Sequence, residues 1–314
     1  MKKAAVFFLL AIEVTVFSQN FFTQTGKVIL LDNGFVKRKI TIENGKLLTS
    51  DFMLNTDSSS IISPSRDFSF SINNKRYDGQ SGWKLTATKP IEQADGGRGV
   101  SLILSPAGDF PGFSIAISYL LYPGFPIIRK WISFNNIGPS DIKIESVNVE
   151  DLNTNLNFIS SVVYHNYARM KHLGTFVGNH DDPVVVVHDI TQRKGMALGN
   201  EAIGVLKRTA FHTRLNNIEI GLTHPGQSFP FRKYLKPGEY WLSPASFICL
   251  YSKKNDGFEV IDETFPIGQG VIRRPGPEFV LIVSFADEHI IADPIEAPVF
   301  FRAGAQGQDD GNDE

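Results

Sequence analysis

Four groups of residues in this chain are of types that could do chemistry. His180-Asp181-Asp182-Pro183 sets an imidazole and two carboxyls just ahead of an apolar run, Val184 to Val187. Neighbouring side chains of an extended segment point to opposite sides, so two adjacent Asp residues make a poor general acid/base couple. The stretch reads as an Asx-type turn, as a sugar-hydroxyl contact through His180 and Asp181, or as calcium ligation with too few local oxygens. Arg129 and Lys130 interrupt the apolar strand pattern Ile127 to Ile132. They read as a solvated face flanking a core Trp131, or Arg129 pairs with a carboxylate at a sugar site. The seven histidines include His165 and His172, His180 and His188, without the tight spacing of a zinc helix or ribbon. Asp95-Gly96-Gly97-Arg98-Gly99 is followed by an alternating strand rather than a helix, so it is a hairpin loop and not a phosphate cradle. No Gly-x-Ser-x-Gly elbow occurs, and Lys254-Asn255-Asp256 reads as a solvated turn. No metal or cofactor is expected.

The elements that would position these groups are strands. Phe113, Ile115, Ile117, Tyr119 and Leu121 recur at every second position, the period of a strand with one buried face. A turn at Pro123-Gly124 follows, and Pro126 keeps the next strand extended. Phe35 to Ile42 and Leu47 to Leu54 flank Asn44-Gly45, a hairpin turn; Asn55 to Arg66 is a loop. Phe68, Phe70 and Ile72 alternate before a turn at Asn73-Asn74, and Trp83 opens a strand as a core residue. Ile142 and Ile144 are out of phase with Val147 and Val149, which predicts a β-bulge near Ser146. The β-branched run Val184 to Val187 predicts a strand buried on both faces. Strands continue at Met196 to Leu198, Ile218 to Leu222 and Ser246 to Tyr251, with a turn at Pro237-Gly238 and Cys249 as a small core residue. No helical period occurs across residues 19–251, so the expected class is all-β.

The 314 residues carry a net charge of −2 and no basic stripe, which argues against nucleic acid. Lys2-Lys3 followed by Ala4 to Val16 has the form of a secretory signal with a cut after Ser18, and its apolar run is too short to span a membrane. The expected organisation is a signal at 1–18, one domain at 19–264, and a Pro-rich segment with a disordered acidic tail at 265–314. The protein is expected to be exported, periplasmic or secreted.

Four stretches carry a resemblance. They are Tyr119 to Trp131 with Asn135-Asn136-Ile137-Gly138; Val149-Glu150-Asp151-Leu152; Gly199-Asn200-Glu201-Ala202 with Gly204 to Thr209; and Gly221 to Gln227 running on to Leu235-Lys236-Pro237-Gly238-Glu239. Together, residues ~30–262 resemble the N-terminal domain of glycoside hydrolase family 36, the alpha-galactosidases of Bacteroidetes type. The resemblance implies a large antiparallel β-supersandwich of the galactose-mutarotase-like kind. It implies that chemistry would reside in a following (β/α)₈ barrel, where two Asp residues act. A barrel takes about 250 residues, and 63 remain after Tyr251 (314 − 251). The expectation is a domain that is not catalytic alone and at most binds an alpha-galactoside-like carbohydrate. The sequence near residue 264 departs from the family as a truncated or frame-shifted gene would. The resemblance also implies a loop reaching over a substrate pocket, which makes Asp67 a candidate substrate contact. Two alternatives stand: docking to a separate barrel chain or homo-oligomer, and a mutarotase-like epimerase. The epimerase would need two His and a carboxylate from among His165, His212, His224, Glu201 and Glu219 on one sheet face.

Overall fold

The structure is a computed structural model that describes residues 21–108, 112–157, 159–164, 169–173, 176–178, 184–203, 206–254, 271–272 and 281–282. The proposed signal peptide, most of the proposed tail, His180 and Asp181 lie outside these residues. Three antiparallel sheets make the body. The small sheet runs in order β1 (Phe22–Thr25), β2 (Val28–Asp32), β3 (Val36–Glu43), β4 (Lys46–Leu54). In the ten-stranded sheet the order is β13 (Arg169–Leu173), β12 (Ile159–Tyr164), β15 (Val184–Asp189), β16 (Lys194–Asn200), β21 (Ser246–Ser252), β10 (Ile127–Asn136), β9 (Phe113–Leu121), β8 (Arg98–Pro106), β7 (Trp83–Glu92), and β20 (Tyr240–Leu242) joins β10. The seven-stranded sheet runs β14 (Phe176–Gly178), β17 (Lys207–His212), β18 (Asn217–Leu222), β11 (Ile142–Asn153), β5 (Asp67–Ile72), β6 (Lys75–Asp78), with β19 (Arg232–Leu235) on β11. A two-residue ladder pairs β22 (Val271–Ile272) with β23 (Leu281–Ile282). Among the described residues no helix is long and apolar enough to cross a membrane.

The all-β expectation holds, and so do its local grounds. The β3–β4 turn has Asn44 and Gly45 at φ 52° and 74°, and the β5–β6 turn has Asn73 and Asn74 at 50° and 65°. Positive φ at both central residues matches the right-handed twist of the flanking strands. The expected bulge is present: Ser146 sits at φ 52°, and the pairing of β11 with β5 shifts register between Glu145 and Asn148. Beside it, Gly221 of β18 comes so close that an added Cβ would lie 2.0 Å from the Val147 carbonyl oxygen.

The main core lies between the large sheets. Phe70 is its hub, with ring centroids 4.9 Å from Phe134, 5.7 Å from Phe68, 5.8 Å from Tyr77, 6.2 Å from Trp83 and 6.2 Å from Phe113. On the opposite face of the ten-stranded sheet a second apolar cluster joins Val184, Val186, Ala197, Phe247, Cys249 and Tyr251, with Ile127 against it. Val185 and Val187 face the main core. The strand β15 is therefore buried on both faces, as its unbroken apolar run predicts.

Candidate functional site

Arg129 and Lys130 do not form the solvated face expected of them: Lys130 is fully buried and Arg129 partly so. Strand β10 alternates strictly, and Lys130 falls in phase with Ile128, Ile132 and Phe134, all buried. Its ammonium donates to the Asp67 carbonyl at 2.7 Å, to Asp67 Oδ2 at 2.7 Å and to Glu150 Oε2 at 3.2 Å. Arg38 of β3 completes the group. Its Nη1 and Nη2 donate to Glu150 Oε1 and Oε2 at 2.6 and 2.8 Å, and Nη2 also donates to Asp67 Oδ1 at 2.7 Å. The Arg38 guanidinium lies between the rings of Phe52 and Tyr119, 5.3 and 5.2 Å from their centroids. Tyr119 donates to Asp67 Oδ2 at 2.6 Å, and Thr49 donates to Asp67 Oδ1.

Two cations and two anions thus form a neutral tetrad with at most 1% of any side chain exposed. Its members come from all three sheets. Burial would raise the Asp67 pKa, but the Lys130 ammonium and then the Arg38 guanidinium outweigh it and hold the carboxyl well below its usual range. Asp67, expected to reach a substrate, is sealed inside the protein.

Arg129 points the other way and pairs with a carboxylate, as one reading of the sequence expected. Its Nε and Nη2 donate to Glu201 Oε1 and Oε2, each at 2.6 Å, a bidentate fork at the end of β16. The guanidinium lies 5.7 Å from the Trp131 ring centroid. Tyr122 bonds Arg129 and also Asp95, and its hydroxyl pKa is pushed up, by burial first. Arg129, Trp131, Tyr122 and Glu201 therefore make one partly buried polar group on the outer side of the ten-stranded sheet.

A third group gathers on the seven-stranded sheet. Arg208 Nη1 donates to Glu219 Oε2 at 2.9 Å, and His212 Nε2 lies 3.7 Å from the same oxygen. Nearby His224 is pushed down to about 4, by burial and then by the positive charges of Arg208 and Arg76, so it is neutral at neutral pH. Of the five residues considered for sugar-ring chemistry, the structure brings His212 to Glu219, with His224 within charge range of His212. Glu201 is committed to Arg129, and His165 lies outside the described residues. Within the described residues no group of three or more His, Cys, Asp or Glu side chains gathers to hold a metal ion.

No protein-family model matches the chain, and no curated protein matches it in sequence. Solved structures do match its fold. Alpha-galactosidase AgaB of family GH36 from Geobacillus stearothermophilus superposes with a TM-score of 0.57 at 11% identity, over 74% of this chain and 41% of that one. The chain has the fold of part of an alpha-galactosidase. The galactosidase domain of the alpha-galactosidase-sucrose kinase AgaSK gives a TM-score of 0.60 at 12% identity, over 74% of this chain and 42% of that one. An alpha-galactosidase from Lactobacillus brevis gives 0.58 at 10% identity, over 72% and 40%. The chain spans about two fifths of the length of these proteins.

Residues in the four resembling stretches do structural work in this alpha-galactosidase-like sandwich. Asn200 of β16 donates to the carbonyls of Arg208 and Gly221 at 2.9 and 2.7 Å, which ties the ten-stranded sheet to the seven-stranded one. Asn136 of β10 donates to the Ser140 and Leu235 carbonyls, both at 2.9 Å. Lys130 and Glu150 belong to the buried tetrad, and Tyr119 donates to its Asp67. Such residues satisfy backbone groups and charges that burial would otherwise leave unpaired.

Proposed function

We propose that this chain is an exported β-supersandwich domain of alpha-galactosidase-like type, not catalytic alone, that acts beside a catalytic barrel and takes carbohydrate as its ligand. The observation that carries the proposal is the fold match, which places most of this chain on about two fifths of several alpha-galactosidases. Retaining glycoside hydrolysis needs two carboxyls about 5 Å apart on either side of the scissile bond. Two neighbouring carboxylates of this fold, Asp67 and Glu150, are closed off from solvent and neutralised by Arg38 and Lys130. The Lys2-Lys3 and Ala4 to Val16 pattern supports export. A second reading, a mutarotase-like epimerase, is favoured by the approach of His212 to Glu219, with His224 near His212.

Hydrolysis of a nitrophenyl alpha-galactoside by the purified chain tests the first reading. The expected result is no turnover above a heat-killed control. Turnover that follows enzyme concentration would overturn it.

A further inference from the structure

We propose that the outward face of the seven-stranded sheet is a binding site for an acidic sugar, a saccharide unit bearing a carboxylate. The inference goes beyond the function proposed above and does not depend on it.

The register assembles the face. Arg208 of β17 stands opposite Gly221, and Gly221 opposite Asn148; Glu219 stands opposite Asp151. The alternate residues of the same strands, Phe211, Ile218 and Ile220, face the main core. Asn148 and Asp151 are 2% and 1% exposed although they lie on the outward side, so they form the recessed floor of the face. Arg76, 57% exposed, and Arg66, 34% exposed, stand at its rim.

Two independent features point to a ligand. The first is a set of buried polar atoms without a hydrogen-bond partner: Asn148 Oδ1, Arg208 Nε and His224 Nε2. Buried polar atoms are nearly always bonded, because each one left unpaired costs about 1–3 kcal/mol. Here an unpaired amide oxygen and two unpaired nitrogens, of a guanidinium and an imidazole, gather on this side of the sheet. A sugar hydroxyl donates one bond and accepts others, so neighbouring hydroxyls fit such a mixed set.

The second feature is charge. Three guanidiniums, Arg66, Arg76 and Arg208, converge on two carboxylates, Asp151 and Glu219. Arg208 is engaged with Glu219. Arg66 and Arg76 share Asp151 from 3.4 and 3.5 Å, longer than good charge-assisted hydrogen bonds. Their forks retain donors for a planar anion. A carboxylate on a sugar ring meets both requirements: the group at the rim takes the guanidiniums and the ring hydroxyls reach the floor.

Calorimetric titration of the full chain at low ionic strength tests the assignment, with galacturonate, galactose and inorganic sulfate as probes. Saturable binding of galacturonate is expected, with galactose and sulfate each at least about tenfold weaker. Arg76→Gln changes a mostly exposed side chain and should keep the melting temperature while weakening galacturonate about tenfold or more; Arg66→Gln should act in the same direction. Absence of saturable galacturonate binding would overturn the proposal. Equal affinity for galactose would overturn its anionic part, and sulfate binding as tightly as galacturonate would overturn its saccharide part. Unchanged binding in both arginine variants would place the ligand elsewhere.

Discussion

Replacing Lys130 with methionine is expected to cost about 3–5 kcal/mol of folding stability, the range for removing one partner of a buried ion pair. Methionine keeps most of the volume and the apolar stem, so packing is largely conserved. What changes is charge. With Lys130 gone, Arg38 alone faces Asp67 and Glu150, and a net negative charge remains where at most 1% of each side chain meets solvent. The Asp67 carbonyl also loses its 2.7 Å donor. Urea denaturation measures the loss, which corresponds to a fall of about 6–20 °C in melting temperature for a domain of this size. The exposed Lys84→Met, on β7, is the control and should stay within about 0.5 kcal/mol. A Lys130→Met protein as stable as the parent would mean that the ion network contributes nothing.

The same network sets the acid limit of the fold. Asp67 has its pKa depressed in the folded state, so it contributes stability above its unfolded value of about 3.9. That contribution is lost as pH falls below about 4 toward the folded value, because the unfolded chain takes up the proton first. Stability should therefore drop steeply below about pH 4.

Phe70→Ala is the other large effect, expected to destabilise by about 3–5 kcal/mol. The ring is 1% exposed and touches five other aromatic side chains from strands β5, β6, β7, β9 and β10. Those strands belong to two different sheets, so the surrounding rings cannot close the void without moving one sheet against the other. Phe70→Leu, which restores most of the volume, should cost clearly less. An equal loss in the two variants would show that aromatic geometry rather than the cavity decides the effect.

Strand positions were legible wherever one period ran undisturbed. Strand β9 matches its alternating residues end to end, and the Asn44-Gly45 turn and the Ser146 bulge each have a local cause that sequence carries. Strands β1, β17, β19 and β20 carry too short or too polar a signal. Their place depends on the neighbour that supplies the ladder. The tetrad was missed although its signal was present. Arg38 is in phase with Val36 and Ile40, and Lys130 with Ile128 and Ile132, so each charged residue occupies a buried position of an alternating strand. A charge in the apolar phase needs a counter-charge in the interior; which one cannot be read locally, since Arg38 and Glu150 are 112 residues apart. The approach of His212 to Glu219 is equally a product of register, and His224 comes from the loop after β18.

Binding without turnover is the function proposed for this domain, and exchange between the anomers of galactose tests it most directly. His212 and Glu219, with His224 near His212, are the residues that ring-opening chemistry would use, but the Glu219 carboxylate is held by Arg208 at 2.9 Å. Magnetisation transfer between the two anomeric proton signals, with the chain added to a galactose solution, should give the exchange rate of the buffer alone. An accelerated exchange that disappears in Glu219→Gln would contradict the account and make the polar sheet face an active site.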